Sequence, residues 1–285
     1  MRSPVKNISY DGHQKLSTYR KIAIASWRHP RDPNTYCPTE LAYENAEAFL
    51  AVYPAETAPT LTHYVAKIMA HCMEQYPQMN HVLRWGRLYK RSQVDIFIST
   101  MLRTAVGKDL TGFVIPDLPA LNLAELAARS QTEADKLRYS TDPAIMRAQH
   151  MINRVPALLL RPLMLIQEFI QYTLNLSLDR LGMPSDPIGS AIITNVGALG
   201  FENAFVPLSP YCRCPVLVSV GRPHEAPALR EGEVVAGKCV SITFTFDHRY
   251  ADGAHGAPFF RRFQKIFENP DRFPKVFEAR SASED

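Results

Sequence analysis

One run of the chain constrains its fold more than any other: Val240-Ser241-Ile242-Thr243-Phe244-Thr245-Phe246. Apolar and hydroxyl-bearing residues alternate along it, the two-residue period of a half-buried strand. It continues into Asp247-His248-Arg249-Tyr250-Ala251-Asp252-Gly253. A histidine thus falls where a strand runs out, and Asp252-Gly253 supplies a carboxylate and a tight turn. Imidazole has the side-chain pKa nearest neutrality, so His248 at the rim of a sheet is able to take a proton from a thiol or hydroxyl. A purely structural histidine is the plainer reading, and the residues around it must decide between the two.

The 285 residues suffice for one large domain or two small ones. With 46% hydrophobic and 21% charged residues, the composition is that of a soluble globular protein. The net charge of +4 comes without a dense Lys/Arg block, which argues against nucleic acid as a partner. A modest positive balance suits an anionic, nucleotide-bearing ligand. Cys37, Cys72, Cys212, Cys214 and Cys239 are odd in number and scattered, which argues for a reducing, cytoplasmic setting. Cys212 and Cys214 have one spacer and no second Cys/His pair, so a metal site is not expected there; a redox or buried structural role is. Met1 to Asp11 has no apolar core of signal-peptide length.

Helix and strand periods alternate along the chain. Lys15 to Trp27 reads as a helix, capped at Ser17 or Thr18 and stopped by Pro30. A polar loop, Arg28 to Pro38, follows, and Thr39 to Val52 is ambiguous between helix and strand. In Leu61 to Tyr76, Leu61, Tyr64, Val65, Ile68, Met69, Cys72 and Met73 form one helical stripe, a core face ended by Pro77. Leu83 to Tyr89 reads as strand, turn, strand. Val94 to Thr100 and Gly112 to Ile115 alternate as strands, and Leu123 to Leu137 is a charged amphipathic helix. Ile192-Ile193-Thr194-Asn195-Val196-Gly197-Ala198-Leu199-Gly200 is a strand entering a glycine-rich turn. It lacks the lysine and third glycine of phosphate-cradling loops. The pattern implies a mixed α/β architecture.

The string Asp247-His248-Arg249-x-x-Asp252-Gly253 resembles the active-site signature of the catalytic domain of dihydrolipoamide acyltransferases. These are the acyl-transferring components of 2-oxo acid dehydrogenase complexes and share a fold with chloramphenicol acetyltransferase. Further matches follow in order: Leu16-Ser17-Thr18-Tyr19-Arg20-Lys21, Pro77-Gln78-Met79-Asn80, Val94-Asp95-Ile96, Gly112-Phe113-Val114-Ile115-Pro116 and Glu268-Asn269-Pro270. The resemblance spans about Leu16 to Pro270.

That resemblance implies an α/β fold of the chloramphenicol acetyltransferase type, a two-layer sandwich with a mixed β-sheet and flanking helices that forms trimers. It implies a CoA-dependent acyltransferase of the EC 2.3.1 type, with CoA or acyl-CoA as substrate, no metal, and no lipoyl group on this chain. His248 is then the general base. Thr194 aligns with the family's serine, whose hydroxyl stabilises the oxyanion, and adds a methyl to it. Asp252 forms an ion pair with Arg20 or, alternatively, a dyad with His248. Asn195 and Gly197 shape the turn after Thr194, while Arg249 and Gly253 support the histidine. In the family the site forms between neighbouring subunits.

The chain also departs from the family. An apolar helical insertion occupies about 140–187; Arg161, Pro162 and Glu168 interrupt it, which predicts two helices broken at Pro162 rather than a bilayer span. Its segment 155–181 is suited to extra core, a subunit contact or a membrane surface. No lipoyl module or Ala/Pro-rich linker precedes Leu16, so a stand-alone catalytic domain is expected, any lipoyl group coming from a partner protein. The expected layout is an N-terminal arm (1–14), a catalytic domain (15–275) and a polar tail (276–285). Such a tail makes a homotrimer a firmer expectation than a cage of trimers. A non-catalytic trimeric scaffold and a peripheral membrane lipid acyltransferase are the alternatives.

Overall fold

The computed structural model describes residues 7–13, 15, 17, 32–55, 57–104, 107–138, 156–181, 183–209, 211–230 and 232–280. The helix expected over Lys15 to Trp27 falls almost wholly outside them. The main sheet is mixed. Its order is β2 (Asn34–Ala42), β10 (Glu233–Asp247), β8 (Val216–Val220), β7 (Ala191–Asn195), β5 (Ile96–Thr104) and β6 (Gly107–Ile115), with β9 (His224–Arg230) paired to the first half of β10. The three central strands β5, β7 and β8 are parallel; all other pairings are antiparallel. A smaller sheet joins β1 (Tyr10–His13), β4 (Arg87–Arg91) and β3 (His81–Arg84). Trp85 and Gly86, both at positive φ, make the two-residue turn between β3 and β4.

Helices α1 (Glu44–Ala51), α2 (Leu61–Gln75), α3 (Leu123–Arg138) and α5 (Gly253–Glu268) complete the packed architecture. The stripe on α2 is core as its spacing predicts: Tyr64, Val65, Ile68, Met69, Cys72 and Met73 are buried with Ile242, Phe244, Phe259 and Phe263. Phe244 meets Phe263 edge-on at 5.0 Å, a favoured aromatic geometry. At the start of α2 the Thr60 amide donates to His63 Nδ1 at 3.1 Å, half of a reciprocal cap. The ambiguous stretch Thr39 to Val52 divides: its first residues finish β2 and Glu44 opens α1.

Four sequence expectations need correction. The loop expected to reach Pro38 gives way to strand β2 at Asn34. The strand before His248 is not half-buried, because Ser241, Thr243, Thr245 and Asp247 are as enclosed as Ile242 and Phe244. A segment lying across that face accepts or shares their hydrogen bonds: Thr243 Oγ1 to Asn203 Oδ1 (2.6 Å), Thr245 Oγ1 to Val206 O (2.7 Å) and, from β8, Ser219 Oγ to Ala204 O (2.7 Å). Pro162 does not break the insertion, since helix α4 runs through it from Ala157 to Glu168. The proline is the sixth of the helix's twelve residues, and it removes one ladder hydrogen bond without ending the helix. Finally, Val276 and Phe277 belong to the core rather than a polar tail; the Phe277 ring stacks on Tyr64 at 5.1 Å.

Residues 7–13 are built into the fold. Asn175 Nδ2 donates to Ile8 O at 2.9 Å, and β1 pairs with β4. The insertion is tied to the body at its C-terminal end. Arg213 Nε donates to Glu168 Oε1 at 2.6 Å, and buried Arg91 pairs with Asp186. Much of the surface of α4 is nevertheless open: Leu159, Leu163, Met164, Leu165 and Ile166 are exposed. Among the described residues no helix is long and apolar enough to cross a membrane.

Candidate active site

Strand β10 delivers His248. Its ladder with β2 ends at Asp247 opposite Asn34, and the chain then turns sharply. The Asp247 amide donates to Pro215 O (3.0 Å), the His248 amide to Pro33 O (2.9 Å) and the Tyr250 amide to Asp247 O (2.9 Å). His248 itself is half-buried. Its neighbours are fixed on both sides. Arg249 folds back on the buried Asp247 carboxylate, with Nη2 to Oδ2 at 2.6 Å and Nε to Oδ1 at 3.0 Å. Two parallel charge-assisted bonds of this kind define an orientation as well as an attraction. Buried Tyr250 donates its hydroxyl to Arg213 O at 2.9 Å and accepts from the Leu83 amide at 3.2 Å.

Asp252 caps α5. Its Oδ1 accepts from the amides of Ala254 (3.1 Å) and His255 (3.2 Å) and lies 2.6 Å from His255 Nδ1. Arg20, one of its two expected partners, lies outside the described residues. Gly253 occupies the first helical position, where an added Cβ meets nothing within 4 Å.

The second half of the site is built on β7. Thr194 is buried near the strand's C-terminal end, in register with Ser219 of β8. Asn195 locks the turn that follows. Its Nδ2 donates to Thr62 Oγ1 at 3.0 Å, and its Oδ1 accepts from the Ala198 amide at 3.0 Å. Gly197 is sterically required, since a Cβ there comes within 2.6 Å of Arg222 N and Gly221 C, both backbone atoms. Gly200 closes the turn at φ +92°, which only glycine adopts readily.

The ladder also gives the distance between the halves. Thr194 pairs with Ser219, and Ser219 with Thr243. His248 lies five residues beyond Thr243, roughly 17 Å along the strand and about 10 Å across two strand spacings. The two groups therefore stand roughly 20 Å apart on one sheet. Among the described residues no group of three or more His, Cys, Asp or Glu is placed to hold a metal ion.

Three residues near His248 escaped the sequence reading. His255 as partner of Asp252 has a visible signal, because a polar residue three positions beyond an N-cap is the spacing of a capping box. Tyr250 and Arg213 have no local signal, since their contact joins positions 37 residues apart.

Residues 180–274 match the family 2-oxoacid dehydrogenases acyltransferase (catalytic domain). The matched segment contains Thr194, Asn195, Gly197, His248, Arg249, Asp252 and Gly253, every expected site residue except Arg20. The chain is 23% identical over 217 residues to the dihydrolipoyllysine-residue acetyltransferase component of the acetoin cleaving system of Bacillus subtilis. That alignment covers 75% of this chain and 42% of the relative, so the chain spans less than half of the relative's length. Its fold is that of the acyltransferase cores. The cubic core of the pyruvate dehydrogenase multienzyme complex superposes with a TM-score of 0.63 at 17% identity, over 92% of this chain and 94% of that one. The dihydrolipoamide acetyltransferase of Azotobacter vinelandii gives a TM-score of 0.63 at 16% identity, over 92% and 93%. The resemblance and the mixed α/β fold read from the sequence both stand.

Proposed function

We propose that the chain is the catalytic domain of a CoA-dependent acyltransferase whose site is completed by a second copy of itself. His248 takes the proton from an acceptor thiol, hydroxyl or amine. The acceptor attacks the thioester carbonyl of the acyl-CoA. The resulting oxyanion accepts a hydrogen bond from the Thr194 hydroxyl of a neighbouring copy. The tetrahedral adduct collapses, the CoA thiolate leaves, and His248 returns the proton to it. CoA is substrate here, and no lipoyl group on this chain is needed.

The observation that carries the proposal is the separation of Thr194 from His248 by roughly 20 Å within one chain. Both lie in the segment that matches the acyltransferase family, yet one chain cannot bring them to one carbonyl. A ring of copies resolves this, each lending its histidine to the next one's threonine, and a homotrimer is the smallest such ring we favour. The Azotobacter relative, in whose catalytic mechanism a serine, a histidine and an asparagine four residues beyond the histidine have roles, supports the assignment. On this reading Thr194 and His248 take the places of the first two, and Asp252 lies four residues beyond His248. A dihydrolipoyl thiol on a partner protein is the favoured acceptor, with small thiols, alcohols and amines as others. A larger cage of trimers is compatible with the same contacts.

The test is acyl transfer from a panel of acyl-CoAs to dihydrolipoamide, amines and alcohols. His248→Ala is expected to lose about 10²–10⁴-fold in rate while still assembling. No transfer from any donor by correctly assembled wild type overturns the enzyme reading in favour of a scaffold. The open surface of α4, with Leu163, Met164, Leu165 and Ile166 exposed, favours a second reading in which the enzyme works at a membrane. Flotation with liposomes, with and without residues 155–181, tests it; equal behaviour of the two proteins rejects that surface as an anchor.

A further inference from the structure

The loop that carries the Tyr250 contact also carries two thiols that acyl transfer does not use. Cys212 and Cys214 are both buried, and their sulfurs lie 3.5 Å apart. Arg213 between them sits at φ +41°, an uncommon conformation for a residue with a side chain. It is held there by three bonds from its guanidinium: to Glu168 Oε1 (2.6 Å), Leu83 O (2.9 Å) and Thr173 Oγ1 (2.9 Å). The pair is not sealed off. A cleft of about 180 Å³ opens between α4 and the loop, and Cys212 lines it together with Met164, Gln167, Gln171 and Tyr211. Such a volume admits a molecule several times the size of water.

We propose that Cys212 and Cys214 form a peroxide-reactive dithiol, with Cys212 the attacking thiol, Cys214 the resolving one, and a small hydroperoxide reaching them through the cleft. The Cys212 thiolate attacks one peroxide oxygen and gives it two electrons. The O–O bond breaks, an alcohol or water leaves, and Cys212 becomes a sulfenic acid. The Cys214 thiol then attacks that sulfur. The S–OH bond breaks, the thiol proton and the hydroxide leave as water, and an S–S bond forms. Two thiols and one hydroperoxide give one disulfide, one alcohol or water, and one water.

The electrostatics agree with this division of labour. The hydrogen bond from Cys214 holds the Cys212 thiol below its ordinary range, while burial pushes Cys214 well above. Burial also raises Cys37 and Cys239 and pushes Cys72 up to about 12, so the remaining thiols are poorer nucleophiles. The disulfide needs the sulfurs to close from 3.5 Å to about 2 Å. That movement acts on Arg213, whose carbonyl accepts from Tyr250 two residues after His248.

The experiment treats the full folded chain with limiting hydrogen peroxide, denatures it, caps free thiols with N-ethylmaleimide and analyses unreduced peptides by mass spectrometry. The expected result is a peptide containing Cys212 and Cys214 that has lost two hydrogens and carries no maleimide, while Cys37, Cys72 and Cys239 are all capped. Dithiothreitol should reverse it. In Cys214→Ser, Cys212 is expected to stop at the sulfenic acid and be trapped by dimedone. Oxidation of Cys37 or Cys239 ahead of the pair, or capping of both Cys212 and Cys214 throughout, overturns the proposal. The wild-type time course alone decides this if the variant does not fold.

Discussion

Asp252 Oδ1 lies 2.6 Å from His255 Nδ1 and also accepts the Ala254 and His255 amides, so one carboxylate both starts helix α5 and holds a side chain on its first turn. The cap lies four residues after His248 and the helix begins at the next residue, so this cap sets where the histidine's turn ends.

Removing the cap separates its two roles. Asp252→Ala is expected to cost about 1 kcal/mol of stability. Asp252→Asn keeps the cap acceptor and loses the charge facing His255, so its melting temperature should stay near wild type. Thermal unfolding of both variants checks this. Equal destabilisation by the two would show that the charge, not the cap, is what the fold uses.

If base and oxyanion donor come from different copies, two dead variants should rescue each other. His248→Ala and Thr194→Ala, unfolded together in equal amounts and reassembled, are expected to recover about a quarter of the wild-type rate. That fraction follows from random mixing, because half of the copies bring an intact histidine and half of their neighbours an intact threonine. Each variant reassembled alone stays inactive. Absence of recovery in verified mixed oligomers removes the shared site.

The two glycines flanking the site should respond in opposite ways. Gly197→Ala forces a Cβ to within 2.6 Å of the backbone of Gly221 and Arg222, and neither can yield without moving β8's exit. A loss of about 1–3 kcal/mol and a slower enzyme are expected. Gly253→Ala meets open space in the first turn of a helix, so it should be neutral or stabilising by about 0.5–1 kcal/mol. Chemical denaturation of both variants decides it.

Acid should weaken the fold over a defined window. Burial pushes His63 down to about 4 from its ordinary 6.5, and burial together with Arg262 and Lys67 does the same to His71. Below pH 6.5 the unfolded chain binds protons that the folded chain refuses, so stability falls as pH drops from 6.5 toward 4. The contribution is on the order of 2 kcal/mol per histidine. Protonation also destroys the Nδ1 acceptor that takes the Thr60 amide. His63→Gln keeps a capping acceptor without a titrating ring, and its denaturation midpoint should depend less steeply on pH. A profile as steep as wild type removes His63 from the effect.

What the sequence shows and what it hides divide along physical lines. The α2 stripe and the strand before His248 are legible because each is a local period, and the Gly197 turn because glycine marks its own need. The enclosure of Thr243 and Thr245 is not legible, because alternation reports one apolar face and says nothing of what covers the other. Helix α4 hides for a different reason: a proline signals a missing hydrogen bond, and only the surrounding turns determine whether that loss bends the chain. The Arg213–Tyr250 contact and the paired thiols are tertiary, and no window along the chain contains them. For the site, the string around His248 is visible as a motif, while His255, two residues beyond it, shows its contact with Asp252 only in the folded chain.

The hydroxyl-lined face of the main sheet has a consequence for motion. Ser219, Thr243 and Thr245 hold the overlying 203–206 segment by single hydrogen bonds, whereas the other face is locked by interdigitated rings. Water can replace hydroxyl partners one for one, but nothing in solvent replaces an aromatic neighbour. The 203–206 segment is thus the more readily opened of the two covers, and its own amides should exchange with solvent before those of Phe244 and Phe246, which lie in the ladder of the main sheet.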